Sequence, residues 1–194
     1  MRKIKWKFIG VMLLVVVMIL SACSSSGEGG SASQGGDSSE KIKIGFILSD
    51  SGTFAPLSEN IKNGFKLYLE QNDNKLGGKE VELIFEDDEA NPQVALRKYK
   101  NLVGSEKVNF LVGPISSSVV YALRDEVEKD KVILIDANAA GNDLSWDLRS
   151  DYVIRTSFSN WQNGSSAGSY IANNIGKTAM VIAPDYPAGQ EVAS

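Results

Sequence analysis

The sequence predicts an α/β fold, a parallel sheet flanked by helices, and three observations predict it. Short runs rich in Val, Ile, Leu and Phe recur between residues 42 and 183. Between them lie stretches whose apolar residues recur at helical spacing, so strand and helix candidates alternate at intervals of roughly 25–40 residues. Several strand candidates run out into Gly, Ser, Asp or Asn. Parallel neighbours need long crossovers of this kind, which are right-handed where they carry a helix.

The chain opens with Arg2, Lys3, Lys5 and Lys7, then an apolar run from Phe8 to Leu20 broken only by Gly10. Thirteen helical residues reach roughly 20 Å, short of the ~30 Å hydrocarbon core, so the pattern is that of a secretory signal. Leu20-Ser21-Ala22-Cys23 follows and resembles a lipobox, in which the cysteine takes the lipid and becomes the mature N-terminus. Cys23 is the only cysteine of the chain. A plain signal peptide with a chance cysteine beside the cut is the other reading; the position of the single thiol favours lipidation. Of the 17 residues 24–40, 12 are Gly or Ser, and none is a large apolar residue. Such a segment cannot repay the entropy of ordering and reads as a flexible tether.

The first strand candidate, Ile42–Leu48, ends in Ser49-Asp50-Ser51-Gly52-Thr53. Ile61, Phe65, Tyr68 and Leu69 then recur at helical spacing, stopping at Asn72-Asp73-Asn74 and Gly77-Gly78. A second strand is expected over 81–85. Asn91-Pro92 has the chemistry of N-cap and first helical position, and Ala95, Tyr99, Leu102 and Val103 make one helix face. The third strand, 109–112, meets Gly113-Pro114 and a serine triplet, after which Val120, Leu123 and Val127 continue as a helix. Further strands are expected at 132–135, 152–155 and 179–183, with a helix around 167–175.

Composition removes many functions. Beyond residue 22 the chain has 16 basic against 24 acidic groups, which argues against a nucleic-acid partner. With no histidine it can build neither a Ser–His–Asp triad nor a His-ligated metal site. No metal and no cofactor is expected, and no catalytic residue. A lipid-anchored hydrolase would need paired carboxylates such as Asp87 and Asp88. Adjacent residues at a strand end face apart, however, and solvated acids are the commoner explanation.

In parallel sheets ligands bind outside the carboxyl ends of the strands. The loops concerned are 49–58, 87–91, 113–118 and 136–145. Ser116, Ser117 and Ser118 stand where a strand turns into a helix, so hydroxyls and unpaired amides converge at a positive dipole end. That arrangement suits a carboxylate, and it equally suits simple N-capping.

The ordered set of Ile44-Gly45, Ser51-Gly52, Gly64, Glu86-Asp87-Asp88, Asn91-Pro92, Val112-Gly113-Pro114, Ser116-Ser117-Ser118, the segment Asp136 to Ser145, Arg155-Thr156, Gly164 and Asp185-Tyr186-Pro187-Ala188-Gly189 resembles the branched-chain amino-acid-type substrate-binding proteins of ABC transporters. The resemblance runs from Ile42 to the last residue. It implies the type I periplasmic-binding-protein fold, two lobes with the ligand between them, and partition into a signal peptide (1–22), lipidated cysteine and tether (23–40), lobe one (41–156), and the hinge crossing with the start of lobe two (157–194). On that resemblance the sequence is expected to be the N-terminal part of a longer protein.

The resemblance also implies site residues. Ser116 matches the serine that holds an α-carboxylate, and Asn138 the position whose carbonyl takes the amine. Ser51, Ser117 and Ala139 fall in the same ligand loops. Leu57 stands where the family packs an aromatic, and Ala140 where amino-acid binders place a threonine. Ala188 replaces a common tyrosine, with Tyr186 two residues away. The disulfide of some members would join positions occupied here by Ala90 and Ile115. Segment 155–162 is similar to relatives that take up aromatic acids; Trp161 could stack on a ring there, although packing at the hinge is the reading favoured. The implied partners are an amino acid or related small carboxylate, ABC permease subunits, and the outer face of the cell membrane through the lipid. A ligand sensor on the same fold, reporting to a membrane receptor, is the alternative.

Overall fold

The computed structural model describes residues 41–193; the signal, lipobox and tether expectations, Cys23 among them, lie outside the described residues. Six strands, β1 (Ile42–Leu48), β2 (Lys75–Leu76), β3 (Lys79–Asp87), β4 (Phe110–Val112), β5 (Ile133–Asp136) and β6 (Val153–Arg155), form one sheet in the order β2-β3-β1-β4-β5-β6. All neighbours run parallel except β2 with β3. The helices are α1 (Ala55–Gln71), α2 (Pro92–Lys100), α3 (Ser117–Asp130), α4 (Asn160–Asn174) and α5 (Pro187–Ala193).

β1 is central, and its period-two alternation feeds two cores. Ile44, Phe46 and Leu48 pack with Val112 and Ile115 on the face that α1 covers through Ile61 and Phe65. The Phe46 ring meets Phe65 edge-on at 5.1 Å and Phe85 at 4.7 Å. Ile47 joins the other face, where Tyr99 and Leu102 pack with Val119, Val120, Leu123 and Val127 of α3. Gly45 lies on this crowded side, where a Cβ would come within 2.8 Å of Leu111 Cδ2. The buried Tyr99 hydroxyl shares its one proton between Glu126 O (3.1 Å) and Asp130 Oδ2 (3.0 Å), bracing α2 against α3.

Asn91 caps α2 as its chemistry predicts, its Oδ1 accepting from the amides of Gln93 (2.9 Å) and Val94 (3.2 Å). Two elements differ from expectation at their start. α4 begins at Asn160, not near 167, because Ser159 and Gln162 form a reciprocal capping box. Gly77-Gly78, read as a helix stop, is also a tight two-residue turn with both φ positive, and it pairs β2 with β3.

The expected strand at 179–183 does not form. These residues carry no strand assignment, and Met180 and Ile182 are 87% and 91% exposed. An extended segment gains its backbone hydrogen bonds only from a neighbour, and among the described residues it has none in the sheet. Among the described residues no helix is long and apolar enough to cross a membrane.

Candidate ligand-binding site

β1 and β4 are neighbours in the sheet, yet the helices that follow them lie on opposite faces, α1 on one and α3 on the other. The loops leaving these two strands therefore diverge and open a crevice at their carboxyl ends, the ligand position of open α/β sheets. Gly113 makes the exit from β4 possible. Its φ is +117°, and a Cβ there would lie 2.0 Å from the Ile47 carbonyl oxygen.

The serine loop follows at once. Ser116 is the N-cap of α3 in extended conformation (φ −82°, ψ 131°), but its side chain makes no cap hydrogen bond. Its Oγ lies 3.3 Å from Ser118 Oγ instead. The first amides of a helix have no intrahelical acceptor, so the head of α3 keeps donors, a hydroxyl pair and a positive dipole end together. Ser116 and Ser117 are both buried, so the donors sit in a partly dehydrated setting where an anion gains most.

The loop after β5 closes one side. The Ala137 amide donates to Gly113 O and the Ala139 amide to Pro114 O, both at 3.3 Å, so the segment 137–140 lies beside the serine loop. Asp136 sets its shape. Its Oδ1 accepts from the amides of Asn138 (3.3 Å) and Ala139 (2.8 Å), while its carbonyl takes the Thr156 amide (3.0 Å) and hydroxyl (3.1 Å). Burial pushes this carboxyl up to about 7 against the opposing pull of the Ala139 amide, Arg155 and the Asn138 amide. Its Oδ2 and Arg155 Nη1 are buried without a hydrogen-bond partner. Sequence reasoning took in the loop and missed Asp136; an Asp at a strand end two residues before Asn138 is an Asx-turn signal that could have found it.

The acids at the end of β3 do structural work. Asp88 is fully buried, accepts from Ser49 Oγ (2.6 Å) and the Ala90 amide (2.7 Å), and is pushed up chiefly by burial. Asp87 accepts from the amides of Asp50 (3.0 Å) and Glu89 (2.8 Å). Burial raises it, but these amides together with Ser51 outweigh that and leave it below the usual range. Asp50 in turn takes Ser58 Oγ and Lys62 Nζ. Each of the two acids is thus spent on a different set of loop groups, which is unlike a cooperating acid/base pair.

The structure gathers Ser116, Ser117, Asn138, Ala139 and Ala140 on two hydrogen-bonded loops. Ser51 stands on the first loop beside Asp87, and the half-exposed Leu57 on the first turn of α1. Ala140 presents its carbonyl to the Asn160 amide at 2.8 Å. The Trp161 amide donates to Asn142 Oδ1 (2.7 Å), and the residue, 55% exposed, lines a cavity of about 480 Å³ with Ile171, Val181 and Val192. Tyr186 lies on the turn into α5, with backbone bonds to Pro184 and Gln190. Among the described residues no three Cys, Asp or Glu side chains come together as metal ligands.

The sequence profile of the periplasmic binding protein family matches residues 41–194. The chain belongs to that family. A Leu/Ile/Val-binding protein homolog of Brucella abortus is 29% identical over 76% of this chain and 38% of its own length. An ABC-transporter solute-binding protein of R. palustris, solved with benzoate, is 34% identical with a TM-score of 0.76. That match covers 78% of this chain and 42% of the other. The branched-chain amino-acid-binding protein LivJ of Streptococcus pneumoniae, solved with isoleucine, is 26% identical with a TM-score of 0.63, over 70% of this chain and 39% of the other. The chain thus spans about two fifths of the length of these relatives. They are binding proteins, and the fold they share with it is a mixed α/β sheet of mostly parallel strands flanked by helices.

Proposed function

We propose that this chain supplies the ligand-binding lobe of an extracytoplasmic solute-binding protein of an ABC importer. It holds a small carboxylate, an amino acid of the branched-chain kind or a relative of it, and delivers it to the permease once a second lobe has closed over it. The observation that carries the reading is Ser116, a helix N-cap whose hydroxyl is not spent on capping, at the crevice between β1 and β4. The carboxylate would accept from Ser116 and from the open amides of α3, while the carbonyl of Asn138 would take an amine. Ligand contacts from both lobes would favour the closed form, which a permease can distinguish from the open one.

A thermal-shift screen of the full-length protein against amino acids and aromatic acids tests this. A true ligand at 100 times its Kd adds about 2.7 kcal/mol of stability. No shift with any carboxylate overturns the reading. Aromatic acids are the second ligand class, favoured by the absence of a hydroxyl at Ala140 and by the benzoate-bound relative. Benzoate and isoleucine in separate wells decide between the two.

The same reading includes an anchor. Cys23 takes a lipid and holds the protein at the outer face of the membrane, supported by the lipobox spacing and the Gly/Ser tether. Cys23→Ser is expected to leave the protein in the soluble fraction or with its signal uncut. Fractionation that finds the processed variant still in the membrane overturns the anchor.

A further inference from the structure

Glu191 lies on α5, near the end of the described chain, yet three groups from earlier in the chain hold its carboxylate. Oε1 accepts from the Tyr121 hydroxyl of α3 at 2.6 Å. Oε2 accepts from the Asn142 amide at 2.8 Å and from Asn160 Nδ2 at 2.9 Å. The surroundings are shaped for this. Asn142 and Asn160 are buried, and a Cβ at Gly141 would lie 2.4 Å from the Tyr121 hydroxyl oxygen. Burial and the bond to Glu191 push the Tyr121 phenol up, so it remains a donor at any physiological pH.

The bonds continue towards the crevice. Asn142 Oδ1 accepts from the Trp161 amide, and Ala140 O from the Asn160 amide, so the groups on Glu191 are those that hold the far end of the 138–142 loop. We infer that Glu191 is a positioning residue whose carboxylate ties α5 to the 138–142 loop, so that displacement of α5 and loosening of that loop are one event. The inference rests on reading Asn138, Ala139 and Ala140 as part of the ligand site. Removing the carboxylate leaves one hydroxyl and two N–H groups without this acceptor, whereas a carboxamide would keep one oxygen for the two N–H groups, so the test truncates the side chain.

Amide hydrogen exchange of the full-length protein tests the tie without a ligand. In Glu191→Ala, the Asn142 amide, which loses its acceptor, and the Trp161 amide, whose acceptor is Asn142 Oδ1, are both expected to exchange at least tenfold faster. Leu134, in the core, is expected to keep its rate. Tyr121→Phe removes one of the three bonds and should give a smaller change of the same pattern. Glu191→Asp, which keeps the charge, should restore part of the protection. Retained protection at Trp161 when Asn142 loses its own overturns the tie, and so does equal loss at Leu134 in Glu191→Ala and Tyr121→Phe. A second arm measures affinity for isoleucine and for benzoate. Glu191→Ala is expected to weaken whichever binds at least fivefold, and unchanged affinity overturns the link to the ligand loop. If neither binds the unaltered protein, the carboxylate reading fails while exchange still judges the tie.

Discussion

Ser116 and Asn91 stand at the same place, each one residue before a helix, and use their side chains in opposite ways. Asn91 gives both capping bonds to α2, whereas Ser116 gives none to α3. The two therefore separate stability from binding. Asn91→Ala is expected to cost about 1 kcal/mol in denaturant unfolding and to leave ligand affinity unchanged. Ser116→Ala is expected to weaken ligand binding by roughly 1–3 kcal/mol in calorimetry, with unfolding little changed, the range for a hydrogen bond to a charged group. An unchanged affinity would make Ser116 an ordinary turn residue. At this scale the sequence was legible for Asn91, because Asn before Pro admits one reading. It was not legible for Ser116, since a serine before a helix has two uses and only the positions of its neighbours separate them.

At the scale of elements, the loop after β5 depends on one buried carboxyl. Asp136 holds the amides of Asn138 and Ala139, and burial raises it to about 7 from an ordinary 3.8. A carboxyl raised by folding binds its proton more tightly in the folded state. Its contribution to stability is therefore complete below about pH 4 and lost as pH rises through about 7, worth roughly 3–5 kcal/mol across that window. Asp88, also raised by burial, works in the same direction. Asp136→Asn keeps an oxygen for both amides and carries no charge. It is expected to match the unaltered protein near pH 4 and exceed it in stability near pH 8, read from urea unfolding at both. Equal pH profiles would mean that Asp136 stays ionised, paired with Arg155. The element order was legible because Val and Ile runs alternate with helical spacing. The start of α4 was not, because Ser159 and Gln162 cap a first turn of mostly polar residues, which gives the apolar pattern nothing to register.

For the whole molecule, the two sides of the sheet and the segment 179–183 behave differently. Both faces of β1 are covered by helices, so the sheet around it has its core within residues 42–155. The 179–183 segment exposes Met180 and Ile182 almost completely. Residues 41–194 produced alone are expected to fold, to bind isoleucine or benzoate weakly, and to self-associate through this apolar stretch. Sedimentation and a ligand-insensitive thermal transition check this, and a tight complex from these residues alone would mean that lobe one suffices. The strand read at 179–183 shows the limit of a pattern. Apolar residues record a readiness to pair, whereas pairing itself belongs to a partner that local sequence does not contain.

Gly113 has a consequence for how such a protein can change over generations. A Cβ there would strike the backbone of β1 rather than a side chain that could turn aside, so the neighbouring residues offer no compensation. A side chain at this position is incompatible with this crossing, whatever the ligand. The positions around it carry no such bar: Ser116 is not needed as a cap, and Ala140 contributes its backbone to the loop. Heredity is thus held to one residue at the strand exit and left free at the neighbours that would face a solute. Single substitutions at Ser116 or Ala140 would then alter the surface of the crevice without disturbing the strand exit.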